Sequence, residues 1–137
     1  MINFFNEDID FKLKGKNNFK AWLKKVAETE GFRINDLNYI FCSDQYLHKI
    51  NLEYLEHDTY TDIITFDNSE DETTIEGDIF VSIERINDNS NTLKTPLEEE
   101  IKRVIVHGLL HLCGYNDHTV EDKDKMRHLE SKYILSF

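Results

Sequence analysis

Two histidines and the residues that follow them form the stretch in this chain best suited to chemistry. In His107-Gly-Leu-Leu-His111-Leu-Cys-Gly114-Tyr-Asn-Asp117-His118 the two imidazoles stand four residues apart. On a helix that spacing puts both side chains on one face, one turn apart, within reach of a single metal ion. Gly114 ends such a helix, because glycine takes the left-handed conformation that turns the chain back. The turn can return a third side chain to the ion. Asp117 lies ten residues after His107 and His118 eleven, so either closes the site.

Three protein ligands with an open fourth position are the arrangement of a catalytic zinc rather than a structural one. The order histidine, histidine, glycine, third ligand follows the metzincin protease pattern, but Gly108 stands where that pattern has its glutamate. The missing glutamate is the general base of peptide hydrolysis, so the chain does not read as a standard protease. Zn2+ is the favoured ion for imidazole-rich, four-coordinate geometry, and an aspartate ligand keeps manganese or nickel admissible. Spacing favours Asp117 as third ligand and ligand chemistry favours His118. His48, His57 and His128 lie outside the motif and read by themselves as exposed or satisfied. Cys113 is rotated about 200° from His111 on a helix and reads as a packing residue.

These groups need a helix to hold them. Thr95-Pro96-Leu97-Glu98 has the form of a helix start, with Thr95 as N-cap and Pro96 at the first helical position. The helix then carries Leu97, Ile101, Val104, Ile105, Leu109 and Leu112 beside the histidines, an apolar width that buries it near the centre of the molecule. Before it, residues 1–5 read as a strand, and a helix capped by Asn17 or Asn18 carries Phe19, Trp22, Leu23 and Val26 as far as Gly31. Residues 36–43 read as a second strand, followed by a helix capped by Asp44. Residues 61–67 and 75–83 read as neighbouring strands, and 84–91 as a short helix or turn. Thr119 or the acids after it open a last helix with Met126, Leu129, Tyr133 and Ile134 facing inward. The expected class is α+β: a small mixed β-sheet packed with helices around a central metal-bearing helix.

The chain of 137 residues suffices for one domain that buries about two-thirds of the surface its unfolded chain exposes. With 39% hydrophobic and 12% aromatic residues it has the apolar content to fold despite its charge. The net charge of -11 repels a polyanion when averaged over the surface, but its distribution is uneven. Residues 11–25 hold six lysines and no acid, whereas residues 51–100 hold fifteen acids and two bases. Two cysteines, no secretory signal and no long apolar run suit a reducing cytosol with no membrane association.

The same stretch resembles the signature of the YbeY family of single-domain bacterial endoribonucleases, the rRNA maturation factors, which reads His-Gly-x-Leu-His-Leu-x-Gly-Tyr-Asp-His. Residues 107–115 match it at every specified position. Upstream, Tyr54-Leu-Glu-His-Asp58-Thr-Tyr-Thr61-Asp62-Ile-Ile-Thr-Phe66 is similar to the family's Tyr-Arg-x-Lys-Asp-x-Pro-Thr-Asp-Val-Leu-Ser-Phe, and Gly77-Asp78-Ile79 to its Gly-Asp-Ile strand. An extra residue after Tyr115 puts the family's third zinc histidine in register with Asp117, while its residue type is found at His118. The family's catalytic arginine corresponds to Leu55 and the lysine two positions on to His57.

The resemblance implies a metal-dependent, single-strand-specific endoribonuclease acting in rRNA maturation and ribosome quality control. Its partners would be rRNA or its precursors and the ribosomal subunit or ribosome-associated proteins. His107, His111 and Asp117 (or His118) would hold the ion, and Asp62 would receive a proton. His57, Arg85 or Arg103 would replace the arginine's charge, and RNA would approach along the lysines of the first helix. Two other readings fit the motif: a non-protease zinc hydrolase of a small substrate, and a non-catalytic ribosome-assembly factor with a structural metal.

Overall fold

The computed structural model describes residues 1–56 and 61–137. Four strands form one sheet: β1 (Ile2–Asn6), β2 (Arg33–Cys42), β3 (Ile63–Asp67) and β4 (Thr74–Ser82), in the order β1-β2-β4-β3. β1 and β4 run parallel to β2, and β3 closes one edge antiparallel to β4. Five helices complete the chain: α1 (Lys16–Thr29), α2 (Asp44–Leu55), α3 (Ile83–Leu93), α4 (Leu97–Leu112) and α5 (Val120–Ile134). The α+β class and the mixed sheet agree with the sequence reading.

Side-chain alternation in the strands decides where the core lies. Leu37, Tyr39 and Phe41 of β2 and Ile75, Ile79 and Val81 of β4 are buried on one face, against Trp22, Leu23 and Val26 of α1 and Val104, Ile105 and Leu109 of α4. The opposite face carries a smaller cluster of Cys42 and Ile64 with Leu47 and Ile50 of α2. Tyr39 is fully buried, and its hydroxyl donates to the Ile105 carbonyl at 2.7 Å, which ties the sheet to the middle of α4.

Several helix starts differ from the sequence reading, for local reasons. Gly15, not Asn17 or Asn18, precedes α1; its φ of 73° lets the chain turn into the helix with no side-chain cap. Ser43 caps α2 by accepting from the Tyr46 amide, which leaves the Asp44 carboxylate to pair with Arg85 at 2.6 Å. At α4, Pro96 holds an extended ψ of 138° and takes the cap position itself. Thr95 donates instead to the buried Glu100 carboxylate at 3.3 Å. Residues 83–93 form a full helix whose cap, Ser82, accepts from the Arg85 amide. Thr119 does cap α5, accepting from the Asp122 amide.

Candidate metal centre

The site begins where α4 stops. Cys113 is the last residue near helical geometry, and Gly114 follows with a φ of 100°. The Tyr115 amide then donates to the Leu110 carbonyl at 3.1 Å and the Gly114 amide to the His111 carbonyl at 3.0 Å, the paired bonds of a Schellman turn. This turn does two further things. It presents the Tyr115 carbonyl to His111 Nδ1 at 2.9 Å, and it sends the chain back so that Asp117 faces the histidines.

His107, His111 and Asp117 thereby converge. The two Nε2 atoms lie 2.9 Å apart, and Asp117 Oδ2 lies 3.6 Å from that of His107 and 3.5 Å from that of His111. Hydrogen bonds on the far side of each ring fix the tautomers. A carbonyl can only accept, so His111 Nδ1 carries the proton it gives Tyr115. His107 Nδ1 faces Glu130 Oε2 at 2.5 Å, and a carboxylate likewise receives a proton there. Both Nε2 atoms are left with lone pairs that point at each other and at a carboxylate oxygen. A proton on one Nε2 or a metal ion among the three groups relieves that repulsion.

The spacing suits a metal ion. Tetrahedral zinc with bonds of about 2.0–2.1 Å separates its ligand atoms by about 3.3 Å, and the three observed separations bracket that value. Two imidazoles and a carboxylate are also a donor set that zinc accepts. Among the described residues this is the one group of three histidine, cysteine or acidic side chains with such convergence. His118, the alternative ligand, is exposed and outside the group. Cys113 is half-buried against the core, and burial followed by the charge of Glu30 pushes its thiol up to about 12.

Electrostatics set the two histidines apart. Burial pulls His107 down, but the hydrogen bond and charge of Glu130, with Asp62 and Asp117, raise it above its ordinary value. Burial and the neighbouring His107 lower His111. Asp62 stands just before β3, with its carbonyl bound to the Ser82 amide at 3.0 Å. Burial raises its carboxyl against the pull of His107, and it feels the charges of Glu130 and Asp117, so it belongs to the surroundings of this centre. His57 lies outside the described residues.

The structure adds a residue that the sequence reading missed. Glu130 of α5 is buried and bridges His107 to Arg103, which donates to Glu130 Oε1 at 3.1 Å. Arg103, His107 and His111 recur every fourth residue along α4, so one helix face supplies both the imidazoles and the cation that holds their carboxylate partner. The available signal was an acid on the inward stripe of α5 beside Met126 and Tyr133. Arg103 is thus committed behind the histidines. Arg85 is held by Asp44 but also feels the charge of Asp62. Leu55 is the last residue of α2 and 40% exposed.

The model of the family described as endoribonuclease YbeY matches residues 1–137. The chain belongs to the endoribonuclease YbeY family. Proteins named endoribonuclease YbeY from Christiangramia forsetii and Flavobacterium johnsoniae are each 49% identical to it. The first match covers 99% of this chain and 94% of the relative, the second 100% and 97%. A YbeY from Cytophaga hutchinsonii is 50% identical over 92% of this chain and 88% of its own. The solution structure of a Thermotoga maritima protein superposes with a TM-score of 0.68 at 26% identity, covering 98% of this chain and 87% of that one. None of the described helices is long and apolar enough to cross a membrane.

Proposed function

We propose that residues 1–137 work as one domain, a metal-dependent, single-strand-specific endoribonuclease of the bacterial cytoplasm that acts on rRNA or its precursors. Ribosomal subunits or ribosome-associated proteins are its working partners. The observation that carries this reading is the meeting of His107, His111 and Asp117 in a chain that matches the YbeY family along its whole length. The ion is zinc, on the strength of the donor set and its spacing. Such an ion, when bound, polarises a phosphoryl oxygen and lowers the pKa of water.

The chain's own residues do the rest. Glu130 and the Tyr115 carbonyl hold the imidazoles with Nε2 turned to the ion. Gly108 leaves α4 without the carboxylate of zinc peptidases, and Asp62, its affinity for a proton raised by burial, accepts the proton released during attack on phosphorus. Positive charge at the phosphate comes from His57 once protonated, with Arg85, which feels the charge of Asp62, as the alternative.

The test joins elemental analysis to cleavage of unstructured RNA by the same purified protein, with and without chelator. Cleavage stops on metal removal and returns with zinc. His107→Ala, checked for folding, lowers the rate by about 10³-fold or more, several kcal/mol of transition-state stabilisation. Activity indifferent to complete metal removal overturns the reading. Leu55 at the family's arginine position favours one rival, a ribosome-assembly factor with a structural metal, for which RNA binding without any cleavage is the expected result.

A further inference from the structure

Lys20 and Lys24 of α1 face the starts of β1 and β2 and not the histidines. α4 lies over β3 and β4, with Ile63 and Ile79 against Gly108, and Asp62 enters the centre from the start of β3. The basic face lies at the other edge of the sheet. There a groove of about 350 Å³ between α1 and the starts of β1 and β2 is lined by Lys20, Lys24, Arg33, Ile2, Ile34 and one acid, Glu28. The groove lies by β1 and β2 and the histidine helix over β4 and β3, so two to three strand spacings of about 4.8 Å, roughly 10–14 Å, separate the two sides.

From this placement we infer that the α1 groove is a second RNA-binding surface, an anchor for the phosphate backbone of a substrate whose cleaved segment lies at the opposite sheet edge. Charge gives the reason. Asp62, Asp117 and Glu130 crowd the metal centre on a protein of net charge -11, and Arg103 with a bound divalent ion offsets these carboxylates without leaving a surplus of positive charge to hold a long polyanion. Binding energy for RNA has to come from a locally cationic surface, and residues 11–25 hold six lysines and no acid. Lys16, Lys20 and Lys24 recur every fourth residue, about 6 Å apart along the helix, a step of the same order as that between successive phosphates of an extended strand. Among the described residues none of these three, nor Arg33, is in an ion pair. A separate cleft of about 290 Å³ at the start of α1 is lined by Lys12, Lys14 and Lys102, beside Glu98.

The inference rests on RNA being the substrate, and its test separates the two. Zinc-loaded protein and the variant Lys20→Gln/Lys24→Gln/Arg33→Gln are titrated with a roughly 30-nucleotide 2′-O-methyl oligouridylate, which resists cleavage, between about 50 and 200 mM salt. Removing three single-strand phosphate contacts lowers the slope of log K against log salt by about 2 and weakens binding about tenfold or more at the low-salt end. Cleavage of an oligonucleotide too short to span both edges stays at the parent rate, and matched melting temperatures show that the variant is folded. An unchanged slope and affinity, with RNA still bound and cut, overturns the anchor and leaves the nuclease reading standing. A parent protein that binds no RNA overturns both. Loss of polyglutamate binding with RNA affinity intact assigns the groove to an acidic protein instead and overturns the RNA anchor.

Discussion

Glu130 decides how His107 can act, although it touches no reacting atom in the proposed chemistry. Its two oxygens receive Arg103 and His107, and its burial leaves no solvent to replace either partner. Glu130→Gln keeps the shape but removes the charge that holds the Nδ1 proton, so His107 loses its fixed tautomer. Metal affinity, measured by competition with a chromophoric chelator, falls about 10- to 100-fold, the usual cost of losing a ligand's hydrogen-bond partner. The third ligand is separated in the same assay. Asp117→Ala weakens the ion by more than about 100-fold, as loss of a direct ligand exceeds loss of its support. His118→Ala leaves affinity unchanged, because that side chain stands exposed outside the converging group. The reverse ranking assigns the third position to His118.

At the scale of elements, α4 is placed by what it lacks. A Cβ built on Gly108 meets Ile63 Cδ1 at 2.9 Å and Ile79 Cδ1 and Cγ2 at 3.0 Å, so the helix rests on β3 and β4 through a glycine between the two histidines. Gly108→Glu, which recreates the protease spacing, puts a carboxylate against the buried Ile79 and the half-buried Ile63 with no partner. It costs about 3 kcal/mol or more in urea unfolding and yields no peptidase. A variant as stable as the parent means that the helix stands further from the sheet. The histidine pair, its glycine stop and the apolar stripe of α4 were legible in the sequence because each rests on local spacing. Helix starts were less so, since Asp44 and Thr95 are drawn from capping by Arg85 and Glu100, partners that only the folded chain supplies. Glu130 was illegible for the same reason. An acid on an inward stripe reads as an interruption until Arg103 and His107 arrive from another helix. The direction of the lysine face was lost too, because the sequence places lysines on a helix but not that helix on a sheet edge.

Across the whole molecule, the end of α1, the turn after α4 and the end of α5 are fastened together behind the metal centre. Glu30 receives the hydroxyls of Tyr115, at 2.6 Å, and of Tyr133, and Trp22 Nε1 donates to the Tyr133 carbonyl at 2.8 Å. These contacts make the fold sensitive to alkali. The bond to Glu30, then burial, pushes Tyr115 up to about 12, and burial followed by the same carboxylate raises Tyr133 further. Burial also pushes Cys42 and Cys113 up to about 12. Each group is neutral when protonated and has a folded pKa above its unfolded value of about 8.5 for cysteine or 10 for tyrosine. Below those values the stabilisation is complete. As pH rises the unfolded chain loses protons first, and the contribution disappears as pH passes through the folded values near 12. The unfolding free energy from urea titration therefore holds level from pH 7 to 8 and falls between about pH 9 and 11, by at most about 1.4 kcal/mol per pH step for each group ionised in the unfolded chain and still protonated in the folded one. General repulsion in a protein of charge -11 also grows with pH, so the decisive comparison is Tyr115→Phe. That variant starts less stable and loses stability more gradually above pH 10, because one of the titrating hydroxyls is gone. If its slope equals the parent's, repulsion alone governs the alkaline limit and the Glu30 junction contributes nothing to it.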